Sequence, residues 1–302
     1  MRSLSANSLP ARNSCCCLAA LPLIALPGKL ADCEDRVRAF VYDKTFDGLL
    51  SAIFDAYTRK VFPDALLGRE DALPLMVTDS HAVCTEPGKA ARVFAGLKKK
   101  LSPDGLRCLL YVWLSEEAGS DLLLLRYMRA VFDARRLIEK NFSDRHVLAV
   151  SRLAEQVSCE RHRLMGFVRF RQSATGMYCA FIAPRYNVLP LVSGHFAERL
   201  SDQDWILYDT ARRYGIAFDR GAFRDVVPGA AGVDDAALQA NRVQGDRRGR
   251  IDPLVLADNE LLFQALWKAY FTSTAIRERT NPRLQARCMP RRFWTYLTEK
   301  QS

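Results

Sequence analysis

The sequence predicts an α+β fold, mostly helical, with a small antiparallel sheet in the middle of the chain. Three observations predict it. Phe46, Leu49, Leu50, Ile53, Phe54 and Tyr57 recur at the spacing of one helix face. Helix-start signals then follow one another at Glu86-Pro87, Ser102-Pro103, Asp121 and Asp144. Apolar runs from Leu164 to Phe170 and from Met177 to Ile182 flank a Gln172–Gly176 turn, the pattern of an antiparallel hairpin.

Phe40-Val41-Tyr42 reads as a short strand, and Asp43-Lys44-Thr45 turns out of it. Thr45 or Asp43 then caps the helix from Phe46 by accepting a backbone N–H that the first turn leaves bare. Leu75-Met76-Val77-Thr78 reads as a second strand. Pro87 sits in the first turn of the next helix, where its missing N–H costs nothing, and that helix ends near Lys100. Ser102-Pro103-Asp104 opens a helix by the same logic, Asp121 opens one that runs to about Lys140, and Asp144 opens one that reaches about Arg161. After the hairpin, Asn187 caps a helix over Val188–Leu200 with a stripe of Leu189, Val192, Phe196 and Leu200. Trp205–Tyr208 and Tyr214–Phe218 read as further strands. Residues 221–257 read mostly as an exposed loop, with a Gly- and Arg-rich patch from Gln244 to Arg250. Asp258 caps a last helix bearing Leu262, Phe263, Leu266, Trp267, Tyr270 and Phe271.

The 302 residues suffice for a sizeable core without disulfide or metal staples. Residues 38–302 read as a single domain, with its loop near 233–257. Residues 1–37 read as a disordered extension or a mis-placed start. The run from Cys15 to Leu26 imitates a signal peptide but falls short of the ~20 apolar residues that span a bilayer. Nine scattered cysteines argue against a disulfide framework and for a reducing, cytoplasmic setting.

The net charge of +10 is unevenly spread. Residues 88–100, 161–171, 242–250 and 276–300 together hold +17, which leaves −7 for the rest of the chain. Such separation suits a polyanion partner, although charge runs are as commonly solvated faces.

Several long stretches resemble one family. They are FVYDKTFDGLLSAIFDAY from Phe40, YCAFIAPRYNVLPLVSGHFAERL from Tyr178, DWILYDTARRYGIAF from Asp204, and the tail segments IRERTNPRL and MPRRFW. The chain is similar over roughly residues 38–302 to a bacterial family of probable DNA-metabolism proteins. The first 36 residues and the loop at 233–257 depart from it. Members of that family are commonly encoded beside a radical-SAM protein of suspected DNA repair or modification role, and some are fused to a uracil-DNA-glycosylase-like domain. The resemblance therefore implies a DNA partner, single- or double-stranded, and a radical-SAM or glycosylase-like protein partner. It implies no reaction.

The residues themselves carry two readings. In the first, DNA is held by Arg163, Arg169, Arg171, Arg185, Arg277, Arg279, Arg283, Arg291 and Arg292. Arg169 and Arg171 share one parity of a strand, and Tyr186, Phe293 and Trp294 beside arginines can stack bases, though such aromatics are more often core. In the second, the protein is an enzyme on damaged bases, glycosylase- or nuclease-like. His195 with Glu198 three residues on, and Asp209 at a strand end, are then the acid–base candidates. A helix-surface pair or a half-buried histidine is the commoner meaning of that spacing. Asp204 and Asp209 are weak metal candidates. Cys159 and His162 supply two of the ligands a zinc site needs and nothing supplies the rest, so neither metal nor cofactor is expected. A protein-interaction scaffold without nucleic-acid contact is the third possibility.

Overall fold

The structure, a computed structural model, describes residues 37–226 apart from 73, 76 and 175, together with residues 256–300. The expected extension before residue 37 and most of the 233–257 loop lie outside the described residues. Where the sequence reads as one domain, contacts divide the chain into two compact units, one ending at Ala154 and one beginning at Glu155.

In the first unit, β1 (Val37–Tyr42) is the centre of a three-stranded sheet in the order β2-β1-β3, with β2 at Ala65–Gly68 and β3 at Val77–Ala82. Both pairings are parallel, which corrects the expectation of a single antiparallel sheet in mid-chain. The connection is the cause: α1 (Phe46–Arg59) intervenes between β1 and β2, and a chain that returns through a helix re-enters the sheet in the same direction.

α1 starts where its cap predicts. The Thr45 hydroxyl accepts the Gly48 N–H at 2.9 Å, and Asp43 accepts the Thr45 N–H at 3.0 Å and the Thr85 hydroxyl at 2.8 Å. Desolvation raises the Asp43 carboxyl, but the hydroxyls of Thr45 and Thr85 outweigh it and hold the group below its ordinary value. A side chain at position 48 would strike this carboxylate, which is why glycine stands there. Leu49, Leu50 and Ile53 are buried with Phe40 and Tyr42 of β1.

Three helices follow: α2 (Pro87–Lys100), α3 (Pro103–Ser115, capped by Ser102) and α4 (Ser120–Asp133). α4 stops short of the expected Lys140. Lys100 Nζ donates to the carbonyls of Val131, Phe132 and Ala134 at 3.3, 2.6 and 2.9 Å, closing the helix end with a cation. Glu139 then turns back to accept from the Ser102 N–H and hydroxyl at 2.5 and 2.7 Å.

α5 (Arg145–Phe167) begins at the Asp144 cap as expected but runs past Arg161. It absorbs most of the strand expected at Leu164–Phe170. Ala154, Val157 and Leu164 are buried at helical spacing, so the apolar run continues a helix stripe; periodicity alone cannot separate these in so short a run.

The second unit holds a five-stranded sheet in the order β4-β5-β6-β7-β8. Its strands are β4 (Arg171–Gln172), β5 (Tyr178–Ile182), β6 (Trp205–Asp209), β7 (Tyr214–Asp219) and β8 (Ala222–Val226). The hairpin exists, with Arg171 opposite Cys179, but its first strand is two residues long. β5 and β6 are parallel, because α6 (Leu189–Arg199) crosses between them, and the remaining pairs are antiparallel. β8 lies where loop is expected.

Trp205 is the centre of this unit's core. It is fully buried, stacked on Phe218 at 5.3 Å, with Phe170 edge-on at 5.8 Å and Phe196 at 6.3 Å. Burial pushes the Cys179 thiol on β5 up to about 11, which keeps it protonated at neutral pH. Asn187 does not cap α6; its side-chain oxygen accepts from the Tyr214 hydroxyl instead.

α7 (Glu260–Thr274) is preceded by Asn259 rather than Asp258, and the Asn259 side chain makes no cap bond among the described residues. Beyond it come a 3-10 turn at Arg277–Arg279, α8 (Pro282–Cys288, capped by Asn281), and 3-10 turns at Arg291–Tyr296 and Thr298–Lys300. No helix among the described residues is long and apolar enough to cross a membrane.

Candidate nucleic-acid interface

The arginines named from the sequence fall into two sets. Those of the first set are engaged within the fold. Arg169 donates to Glu299 at 2.8 Å and to the Gly166 and Val168 carbonyls at 2.8 and 3.3 Å. Arg292 pairs with Glu160, a buried carboxylate that also accepts the Arg185 N–H at 2.7 Å. Desolvation pulls the Arg171 guanidinium below its ordinary value, and Glu260 partly offsets this. Arg185 lies over Tyr186 at 5.2 Å, and Tyr186 is buried with its hydroxyl on Gln156.

The second set faces solvent. Arg279, Arg283 and Arg291 are exposed and have no carboxylate partner among the described residues. They sit on three successive short elements of the tail, because prolines at 282 and 290 restart the chain twice within ten residues. Arg291 lies over the Trp294 ring at 5.7 Å and Lys300 over the same ring at 5.1 Å. Trp294 is half-buried, while Phe293 beside it is core, packed on Phe167 at 5.4 Å. Arg163 is half-buried, and the side chain of Arg277 lies outside the described residues.

The basic segment 88–100 belongs to the first unit and is partly spent. Lys89 binds Asp55 at 3.1 Å and Glu86 at 2.9 Å, and Lys100 closes α4.

Arg169 leads into a cavity of about 320 Å³ between the β4 edge and α7. Glu260, Gln172, Trp267, Phe263, Tyr178 and Gln264 line it. Glu260 ties the wall together, accepting the Gln172 N–H at 3.0 Å and the Gln264 amide at 2.9 Å. Glu299, which is not itself among the lining residues, joins two that are, accepting from Arg169 at 2.8 Å and from the Trp267 indole N–H at 2.9 Å. The volume is at the small end for ligand pockets, where about 300–1,000 Å³ is usual.

Desolvation raises the Glu299 carboxyl, but bonds from its own backbone, Trp267 and Arg169 hold it below its ordinary value of 4.5. A depressed carboxylate contributes stability that is present above its unfolded value and lost as the pH falls through the folded one. Trp267 fluorescence is therefore expected to change on acidification below pH 4.5, and Glu299→Gln to remove that change. The same substitution costs about 1–2 kcal/mol at neutral pH, read by urea unfolding.

The acid–base candidates are placed apart from this cavity; none of the three lines it. His195 is half-buried with its ring edge-on to Phe196 at 5.3 Å, Glu198 is exposed, and no hydrogen bond or ion pair joins them among the described residues. Asp209 is fully buried at the end of β6, where the turn to β7 begins. One of its oxygens accepts the Ala211 and Arg212 N–H groups at 2.9 and 3.1 Å, and the other the Arg212 guanidinium at 3.0 Å. Burial raises its carboxyl and Arg212 opposes that rise. Asp204 lies 3.5 Å from Arg220. Among the described residues no group of three or more His, Cys, Asp or Glu is placed to hold a metal ion.

Sequence reading missed Trp267, Glu260 and Glu299. Trp267 reads as core because it falls in a helical stripe. The signal was the breadth of that stripe: Leu261, Leu262, Phe263, Leu266, Trp267, Tyr270 and Phe271 cover more of α7 than one buried face uses.

A family whose description is a domain of unknown function, DUF4130, matches residues 118–299, more than half of the chain. No curated protein and no solved structure matches.

Proposed function

We propose that this chain, which belongs to the DUF4130 family of unknown function, is a nucleic-acid-binding accessory protein of DNA repair or base modification. The observation that carries this reading is the tail. Arg279, Arg283 and Arg291 are solvent-facing cations without carboxylate partners among the described residues, and Arg291 lies with Lys300 over the Trp294 ring. Backbone phosphates are held by cations of this kind, and phosphate contacts fix position without reading sequence. The protein then presents DNA to a separately encoded partner in the cytoplasm. The radical-SAM protein that accompanies the resembled family is the partner this reading names.

Binding to DNA at low salt is expected to weaken as salt rises, with a log–log slope of about −0.9 per phosphate neutralised. Arg283→Ala combined with Arg291→Ala lowers affinity equally for unrelated sequences and reduces the slope by about 2. Absence of binding to either single- or double-stranded DNA at low salt rejects the reading. Co-purification with the radical-SAM protein, with and without DNA, tests the partnership.

A further inference from the structure

Glu260 is the sole buried residue of the fifteen in α7. Phe263, Trp267 and Tyr270 are 55 %, 39 % and 60 % exposed. They recur at i, i+4 and i+7, which puts three rings on one helix face. At 1.5 Å of rise per residue they are spaced about 6 Å and about 4.5 Å apart along the axis. The Trp267 and Tyr270 ring centroids are 5.9 Å apart with planes 33° from parallel.

Cations flank the row. The Arg169 guanidinium lies 5.6 Å from the Trp267 ring, Lys300 lies 5.5 Å from Phe271, and Lys268 is on the helix itself. The neighbouring carboxylates are already engaged: Glu299 by Arg169 and Trp267, and Glu260 by Gln172 and Gln264. The exposed ladder is thus aromatic on its face, with Lys268 and Lys300 beside it and the Arg169–Glu299 pair at one edge. A protein partner would be served by the apolar surface alone. A single nucleic-acid strand is served by both features, because bases stack on rings while phosphates seek the cations.

We infer that α7 is a stacking platform for single-stranded nucleic acid, and that the cavity at its N-terminal end receives one unstacked base. The inference rests on the nucleic-acid reading above and deepens it by specifying strandedness. The platform is long enough for two or three nucleotides, since phosphates repeat every ~3.4 Å along a stacked strand and further apart when it is stretched. Phe263 and Trp267 line the cavity with Arg169 and Gln264, whose N–H groups beyond those given to Glu299, the Gly166 and Val168 carbonyls and Glu260 remain as donors. Glu260 offers the remaining lone pairs of a carboxylate. A base whose edge presents adjacent N–H donors to that carboxylate and an acceptor to the cations fits this wall best, and guanine is the base with that edge.

The test is fluorescence anisotropy of labelled 15-mers, poly-dT, poly-dT with one central dG, and a duplex, on the full chain. Wild type is expected to bind single strands more tightly than duplex and the dG strand most tightly. Trp267→Ala is expected to weaken single-strand binding by about ten-fold. Because Trp267 also bonds Glu299, Phe263→Ala with Tyr270→Ala is the second variant; it alters two exposed rings and leaves that bond intact. Arg283→Ala with Arg291→Ala is the control that weakens both strand forms. Equal affinity for duplex and single strand, or wild-type affinity in both ring variants, overturns the platform while leaving phosphate binding standing. Variants that change sedimentation but not oligonucleotide affinity assign the face to a second copy of the chain and also overturn it. Loss of all binding in wild type at low salt rejects the underlying reading instead.

Discussion

Trp205→Ala is expected to cost the unit beginning at Glu155 about 3–5 kcal/mol, the range for removing a buried aromatic. The argument is geometric. Trp205 is fully buried on the central strand β6 and meets rings from four other segments: Phe218 on β7, Phe223 on β8, Phe196 on α6, and Phe170 before β4. No single neighbour can collapse into the space, because each is fixed by a different element. Deleting the indole leaves a void whose walls lose dispersion contacts outright. Trp205→Phe keeps most of the ring contact and also removes an indole N–H that is buried without an acceptor among the described residues, so its cost is expected to be well under half as large. Urea unfolding followed by circular dichroism, with hydrogen exchange on β5–β7, reads both. Alanine and phenylalanine variants of equal stability would refute the assignment of Trp205 as the centre of this core.

Asp209→Ala is the second large effect, again about 3–5 kcal/mol, as for breaking a buried ion pair by removing one partner. Its carboxylate satisfies two backbone N–H groups and the Arg212 guanidinium. Arg212 in turn bonds the carbonyls of Pro184 and Arg185 at 3.1 and 2.9 Å, so this turn links the end of β6 to the chain leaving β5. Asp209→Asn retains one oxygen for the two N–H groups but turns the other into an amide donor that no longer accepts from Arg212, and it is expected to cost less than alanine. The pair of variants separates a structural carboxylate from a catalytic one. A structural role predicts graded losses of stability in the order Ala, then Asn. A general base predicts loss of a chemical step in Asn at unchanged stability.

Local chemistry made the helices of the first unit legible. Thr45, Ser102 and Asp144 each accept the N–H groups their positions suggest, and Pro87 and Pro103 mark first turns. Capping involves residues two or three apart, so it survives in a one-dimensional reading. Strand direction does not, because pairing partners are remote: Ala39 meets Ala65 and Phe40 meets His81. The helix between β5 and β6 did hold a clue to their parallel pairing that composition alone hides. Leu164–Phe170 failed for a different reason, since seven apolar-rich residues fit the end of a helix stripe as well as a strand. The arginine parity failed with it: β4 begins only at Arg171, and Arg169 is fixed instead by a carboxylate 130 positions away. The tail divides likewise: Arg292 is taken by Glu160, far away in sequence, while Arg279, Arg283 and Arg291 have no carboxylate partner among the described residues.

The position of β1 between β2 and β3 has a consequence for synthesis. The central strand leaves the ribosome first, with both of its hydrogen-bonding edges open. One edge closes only when Gly68 has emerged and the other only after Ala82, with α1 free to form in between. During that interval the nascent chain exposes an unpaired, apolar strand, the kind of segment that chaperones bind and that pairs wrongly with neighbouring chains. Some forty residues must follow β1 out before both edges are covered, a matter of a few seconds at about 5–20 residues per second.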